Sequence, residues 1–152
     1  MRILLAVDGS EEALAAVDRA RDWWGADPNV SFVIVYVRQP AALAYGPAAH
    51  MGAAYAAAHD PALLEELEVA AVQAAQRVLE QARQRLNIEG DRVELVEEVG
   101  RTADRILATA EAKGADLIVM GRRGLHGLSR FLVGSVSKAV LDHSPIPVLI
   151  CP

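Results

Sequence analysis

Residues 121–138, GRRGLHGLSRFLVGSVSK, combine glycines with basic side chains and contain no acidic residue. Glycine lets a backbone approach a ligand closely and turn its N–H groups toward it. A helix that begins at Gly134 or Ser135 would add its unpaired N–H groups, which attract anions. The hydroxyls of Ser135 and Ser137 could also donate to phosphate oxygens. The stretch therefore predicts a site for a phosphate-bearing ligand, and the alternative is a loop with a solvated basic surface.

The residues that follow the first apolar run have the opposite charge. Asp8, Glu11 and Glu12 would repel a phosphate group. A carboxylate at a strand end can instead accept hydrogen bonds from sugar hydroxyls or assist a magnesium ion. We expect Asp8 to bind a sugar, and the alternative is that it only caps its own turn. Together, the two segments would accommodate the two ends of a nucleotide.

Both segments follow strands of a predicted α/β domain. Short strand-forming runs predict strands over residues 2–7, 31–37, 93–99, 116–120 and 147–151. Helical spacing and capping signals predict helices after Ser10, from Pro61 to Leu86, over residues 102–113, and from Gly134 or Ser135 to before Pro145. This alternation indicates a parallel sheet whose ligand site lies beyond the carboxyl ends of the strands. The glutamates of residues 93–99 favour an edge position, and residues 38–60 are expected to form a long loop with a short helical turn.

Length and composition favour one globular soluble domain. The 152 residues are 53% hydrophobic, which is enough for a single core and argues against a disordered chain. The net charge of -5 argues against a nucleic-acid partner, and so do the basic residues of the glycine stretch, which are not interleaved with aromatic ones. The first apolar run is too short for a secretory signal, and residues 39–59 are too weakly hydrophobic to span a membrane. Cys151 is the only cysteine, which suits a reducing cytosol, so we expect a cytoplasmic protein.

Several segments together resemble one known family. The spacing Gly121-x2-Gly124-x9-Gly134-Ser135 is similar to the ATP-binding signature of the universal stress proteins. Residues 3–10, 115–121 and 145–150 resemble the opening, fourth and closing strands of that family. The resemblance covers nearly the whole chain, as one universal stress protein domain over residues 1–152. It implies a Rossmann-like α/β fold of the adenine nucleotide alpha hydrolase type: an open five-stranded parallel sheet, ordered 3-2-1-4-5, with helices on both faces.

The resemblance also implies ATP as the ligand, because members of the family that keep the signature glycines bind it. The backbone around Ala6 and Val7 and the side chain of Asp8 would meet the nucleoside, and Val37 would offer its backbone to adenine. The residues implied along the ribose and phosphates are Met120, Gly121, Arg123, Gly124, Gly134, Ser135, Val136 and Ser137. Arg123 occupies a position that varies in the family. Mg²⁺ could accompany ATP, with Asp8 contributing indirectly and no other metal ligand expected from the protein.

The family further suggests a homodimer formed through strand five. Val148, Leu149 and Ile150 would form an apolar sheet edge, which a second copy could cover by antiparallel pairing. The alternative is an edge that Pro147 and Pro152 shield, since proline cannot donate a ladder hydrogen bond.

Three functions stay open at this point. The first is a nucleotide-dependent regulatory or stress-response protein with slow or no hydrolysis. The second is a weak ATPase or phosphotransferase, and the third is a nucleotide-free dimeric adaptor whose glycines are structural. No catalytic residue is predicted, because the glycine stretch offers no evident general base apart from His126.

Overall fold

The structure, a computed structural model, describes residues 1–39, 61–88, 90–123 and 133–152. Most of the predicted loop over residues 38–60 lies outside the described residues, and so do Gly124 and His126. Within the described part of the chain, no helix is both long enough and apolar enough to cross a membrane.

Five parallel strands form one sheet, in the order 3-2-1-4-5. The strands are β1 (Arg2–Val7), β2 (Ser31–Arg38), β3 (Val93–Val99), β4 (Leu117–Gly121) and β5 (Val148–Cys151). Their positions agree with the predicted strands to within a residue at each end, and both the parallel sheet and its order are confirmed. The order reverses between β1 and β4, where neighbouring crossovers leave the sheet on opposite faces.

Within the described residues, four helices cover the two faces of the sheet, as predicted. They are α1 (Glu11–Trp24), α2 (Pro61–Leu86), α3 (Thr102–Ala112) and α4 (Ser135–His143). Because side chains alternate along a strand, Ile3 and Leu5 pack into a core with α1 and α2, whereas Leu4 and Ala6 pack into a second core with α3 and α4. The central strands are therefore buried on both faces, which explains their continuous apolar runs.

A tight turn carries the chain from β1 into α1. Gly9 has a φ of +83°, a conformation that other residues adopt only with strain. The Ser10 hydroxyl accepts a hydrogen bond of 3.2 Å from the backbone N–H of Ala13, so Ser10 is the predicted helix cap. The carboxyl end of β1 and the first turn of α1 are thereby held close together.

The strand β3 lies at one edge of the sheet, as its glutamates indicated. Glu97 pairs with Arg38 at 3.0 Å, Glu98 with Arg105 at 3.9 Å, and Glu94 with Lys113. These pairs place charge along the edge and make it a poor template for another strand.

Candidate functional site

A cleft of about 640 Å³ opens at the carboxyl ends of the strands, where the strand order reverses. All the predicted site residues that the structure describes line this cleft: Ala6, Val7, Asp8, Val37, Met120, Gly121, Arg123, Gly134, Ser135, Val136 and Ser137. The twelfth, Gly124, lies outside the described residues. The tertiary structure thus brings together two segments that are more than a hundred residues apart in the chain, while their contact with a ligand stays a prediction.

Asp8 caps its own turn and also lies in the wall of the cleft, while its contact with a sugar stays a prediction. Its Oδ1 accepts hydrogen bonds from the backbone N–H of Ser10 at 3.0 Å and from the Ser10 hydroxyl at 2.6 Å. The aspartate therefore caps its own turn, as the simpler interpretation held. Its half-buried side chain also lies in the wall of the cleft.

The backbone of Val37 is directed toward the cleft by the alternation of β2. The N–H and C=O of one strand residue point to the same neighbouring strand, and successive residues point to opposite sides. The Arg38 carbonyl accepts from Gly100 at 3.0 Å on the β3 side, so the polar groups of Val37 point to the β1 side. The register of β1 with β2 ends at Val7 and Tyr36. The Val37 N–H therefore completes the ladder on the Val7 carbonyl, and the Val37 carbonyl faces the space beyond the end of β1.

Gly121 is required by packing against α1. A Cβ atom at this position would lie 2.8 Å from the carbonyl carbon of Glu12 and 2.9 Å from the backbone nitrogen of Ala13. Backbone atoms within a helix cannot move aside as a flexible side chain can. The sequence-based explanation, close approach of the backbone to a ligand, missed this constraint.

The amino terminus of α4 lies in the cleft wall with no cap from a described side chain. Gly134 is the cap residue, and the first intrahelical bond runs from the Lys138 N–H to the Gly134 carbonyl at 2.8 Å. The N–H groups of Ser135, Val136 and Ser137 precede that bond and have no acceptor within the helix. The helix dipole adds positive potential at the same place.

The Ser137 hydroxyl has a different role from the one predicted. It is buried and donates its proton to the Gly121 carbonyl at 3.0 Å. A hydroxyl has a single proton, so this bond leaves none for a phosphate oxygen. Ser137 therefore joins the start of α4 to the end of β4, whereas the exposed Ser135 lines the cleft without such a bond among the described contacts.

Arg123 brings an incompletely paired positive charge into the cleft. Its side chain is only 15% exposed, and its Nη2 lies 3.8 Å from Oε1 of Glu12. The Nε atoms of Arg123 and of its neighbour Arg122 are buried and have no hydrogen-bond partner in the described structure. Arginine stays charged at any physiological pH, and buried donors without acceptors are unfavourable. An anion beside Arg123 would remove this deficit.

The cleft has further lining residues that the sequence interpretation did not include. They are Ala13, Val35, Tyr36, Arg38, Gln39, Ala71, Ala74, Thr102 and Ile106. Arg38 and Thr102 stand at the end of a predicted strand and at the start of a predicted helix, so the strand-end rule could have found both. Ala71 and Ala74 carried no such signal, because alanines inside a helix indicate packing. Burial and the negative charges of Asp8 and Glu97 raise the pKa of Tyr36.

The comparison with known proteins decides the family. The model of the universal stress protein family matches residues 1–152. The chain belongs to the universal stress protein family. Among its relatives, universal stress protein YxiE of Bacillus subtilis is 30% identical over 149 residues, covering 98% of this chain and 97% of that protein. Universal stress protein Rv1636 of Mycobacterium tuberculosis is also 30% identical over 149 residues, covering 97% and 93%.

Three solved structures, two of them of universal stress proteins, share the fold. The protein MJ0577 superposes with a TM-score of 0.76 at 22% identity, covering 99% of this chain and 94% of that one. A universal stress protein in complex with cAMP gives a TM-score of 0.69 at 24% identity, covering 100% and 97%. The Archaeoglobus fulgidus universal stress protein in complex with dAMP gives 0.67 at 21% identity, covering 100% and 98%. At these identities, the likeness shows the common fold.

Proposed function

We propose that this universal stress protein binds an adenine nucleotide, ATP, in the cleft at the strand ends and acts as a nucleotide-dependent regulatory protein in the stress response. One observation carries the proposal. The amino terminus of α4, the incompletely paired Arg123 and the backbone of Val37 all meet one cleft of about 640 Å³. That volume lies within the range of small-molecule sites.

The β4 and α4 side of the cleft is suited to phosphate. The N–H groups of Ser135, Val136 and Ser137 have no intrahelical acceptor, and Arg123 provides a charge and a buried Nε–H without a partner. A phosphate chain would supply acceptors to both. Several favourable charge and dipole interactions of about 0.3–1 kcal/mol each would add at this end.

The β2 side of the cleft is suited to the base. The C=O acceptor of Val37 points into the space beyond β1, whereas its N–H completes the ladder with Val7. Adenine carries an amino donor on its Watson–Crick edge, which this carbonyl can accept. Guanine carries a carbonyl oxygen at the corresponding position, so this contact favours adenine over guanine.

Known relatives support an adenine nucleotide. One universal stress protein with this fold has been solved with cAMP and another with dAMP. The proposal of ATP itself depends on the complete glycine signature together with the unpaired donors of the α4 side. Mg²⁺ would accompany ATP through phosphate and water oxygens. The described residues hold no group of three His, Cys, Asp or Glu side chains placed to bind a metal ion, so Asp8 would contribute indirectly.

Slow or absent hydrolysis fits the chemistry of the cleft better than an efficient ATPase. Asp8 is the one carboxylate among the described lining residues, and its Oδ1 already accepts two hydrogen bonds from Ser10. A phosphoryl-transfer enzyme needs a group that orients the nucleophile as well as groups that stabilise the charge. The described lining residues supply donors that would stabilise the charge, but apart from Asp8 they include no carboxylate that could orient the nucleophile.

Homodimer formation through β5 and a cytoplasmic location belong to the same proposal. Directly after β4, the Arg122 backbone N–H donates to the carbonyl of Cys151, so the polar groups of Val148 and Ile150 point away from β4 by alternation. A second β5 strand would satisfy these groups and cover the half-buried Val148, Leu149 and Ile150.

Calorimetric titration of the purified chain with ATP, AMP, cAMP and GTP, with and without Mg²⁺, tests the proposal. We expect ATP to bind and GTP to bind much more weakly, with phosphate release far below enzyme rates. If no adenine nucleotide binds, the proposal is wrong and the nucleotide-free dimeric adaptor is the function that remains. Release of roughly one phosphate per protein molecule per second, or faster, would instead show that the protein is an ATPase.

A further inference from the structure

Arg38 forms two ion pairs at the rim of the cleft. Its Nη1 lies 2.8 Å from Oε1 of Glu68 on α2, and its Nε lies 3.0 Å from Oε1 of Glu97 on β3. The side chain is only 11% exposed. One guanidinium therefore links the end of β2 to both β3 and α2, in the forked arrangement that arginine favours.

The described side chains at the start of α2 bury less of their surface than those in its second half. Every described side chain over residues 62–70 is exposed, whereas Ala75, Leu79, Ala82 and Leu86 in the second half are buried in the core. A helix segment with little apolar burial is expected to open at a lower free-energy cost than one packed into the core. The contact between Glu68 and Arg38 therefore lies where an anchor has the largest effect.

That half of α2 leads directly into one wall of the cleft. Ala71 follows Glu68 by one helical turn, Ala74 follows by nearly two, and both line the cleft. Their methyl groups leave room for a ligand but make a close wall only when the helix lies against the sheet. The position of this wall thus depends on what holds Glu68.

We propose that Arg38 is a positioning residue for the nucleotide site, because it fixes the first half of α2 and with it the wall formed by Ala71 and Ala74. This inference rests on the proposed function. The wall stands on the α2 side of the cleft, away from the amino terminus of α4. Loss of the Arg38–Glu68 ion pair therefore lowers the affinity for all adenine ligands by a similar factor, whatever their number of phosphates.

Hydrogen exchange of the ligand-free chain tests the anchor by itself. Arg38→Met and Glu68→Gln should each speed exchange of amides 63–71 about tenfold, and leave amides 75–86 unchanged. Glu80→Gln is the matched control, since Glu80 pairs with Arg83 at 2.9 Å within α2 and does not reach the sheet. Unchanged exchange over residues 63–71 in both test variants would overturn the proposal.

Calorimetry with ATP, AMP and adenosine then tests the effect on the site. Arg38→Met and Glu68→Gln should each raise Kd about fivefold to tenfold for all three ligands. The double variant should lose no more affinity than either single variant, because both remove the same ion pair. Arg38→Lys should restore part of the affinity, because an ammonium can hold one carboxylate. Weakening by Arg38→Met but not by Glu68→Gln would show direct contact with the ligand and overturn the positioning role. If the wild-type chain binds no nucleotide, the proposed function fails, whereas the exchange measurement still decides the anchor.

Discussion

The hydroxyl of Ser137 donates a hydrogen bond of 3.0 Å to the carbonyl oxygen of Gly121. The bond is buried and joins the third residue of α4 to the last residue of β4. A second bond, from the Gly134 N–H to the Arg122 carbonyl at 2.9 Å, fixes the same junction. The amino terminus of α4 is thereby aimed at the end of β4 within the described structure, in the orientation that an anion site requires.

Replacing Gly134 by aspartate should abolish ATP binding. The new carboxylate would repel the phosphates and would also cap the N–H groups that are proposed to bind them. A unit charge at about 4 Å costs several kcal/mol near a protein surface, so we expect a loss of at least about a hundredfold by calorimetry.

Gly134→Ala separates charge from bulk in that experiment. A Cβ here would lie 3.3 Å from the Arg122 carbonyl oxygen and 3.3 Å from Cα of Arg123, a tight contact that small shifts relieve. We expect Gly134→Ala to retain most of the affinity and Gly134→Asp to keep or raise the melting temperature, because aspartate is a good helix cap. An aspartate variant that still binds ATP normally would contradict the phosphate site.

Replacing Glu12 by glutamine should strengthen ATP binding. Glu12 lies 3.8 Å from Arg123 and adds negative charge beside the proposed phosphate site. Removing that charge should lower Kd about twofold to fivefold, and less at high salt. Glu11→Gln is the matched control, because Glu11 is on the same helical turn, is largely exposed and lies near Arg85 instead. Equal effects of the two variants would rule out a specific role for Glu12.

Gly121→Ala should destabilise the fold whether or not the protein binds a nucleotide. The added methyl group would overlap the backbone of α1 at 2.8–2.9 Å, so we expect a loss of about 1–3 kcal/mol in urea unfolding. Gly114→Ala provides a comparison, since a Cβ there meets nothing within 4 Å and the cost is confined to the backbone at a φ of +60°. Equal stability of Gly121→Ala and wild type would refute the packing requirement.

Replacing Leu149 by aspartate should convert a homodimer into monomers, because it places charge at the β5 edge. Light scattering after size-exclusion chromatography measures the mass. Leu149 also packs against the core, so Val148→Pro serves as a second variant. It removes an N–H that points away from β4 and leaves the described ladder intact. A dimer that survives in both folded variants would exclude the β5 interface.

Tyr36 should ionise above its ordinary pKa of 10.0, since burial and the charges of Asp8 and Glu97 favour the neutral form. The folded state then holds this proton at a pH where the unfolded chain has released it. Its contribution to stability is complete below pH 10 and is lost as the pH rises through the folded-state pKa. The pKa of Tyr36 is measured from the difference between ultraviolet titrations of the wild type and of Tyr36→Phe. A Tyr36 pKa at the ordinary value of 10.0 would contradict the prediction.

The sequence by itself determined the class of fold and, together with the family resemblance, predicted about half of the residues that line the cleft. Continuous apolar runs such as residues 3–7 are typical of strands buried on both faces, and their alternation with helices indicated parallel crossovers. The ends of such strands meet at one edge of the sheet. Asp8 and Gly134 could therefore be assigned to one cleft from sequence patterns and family resemblance, before any coordinates.

Only the tertiary structure decided what each side chain does there. The Ser137 hydroxyl donates to the Gly121 carbonyl, and Arg38 pairs with Glu68 at the rim of the cleft. Gly121 must be glycine because a Cβ there would lie within 3 Å of the α1 backbone. Each of these contacts joins elements that are distant in sequence, and their distances depend on how helices pack on the sheet. Periodicity reports which face of an element is buried, but it carries no information about which atoms of two elements meet.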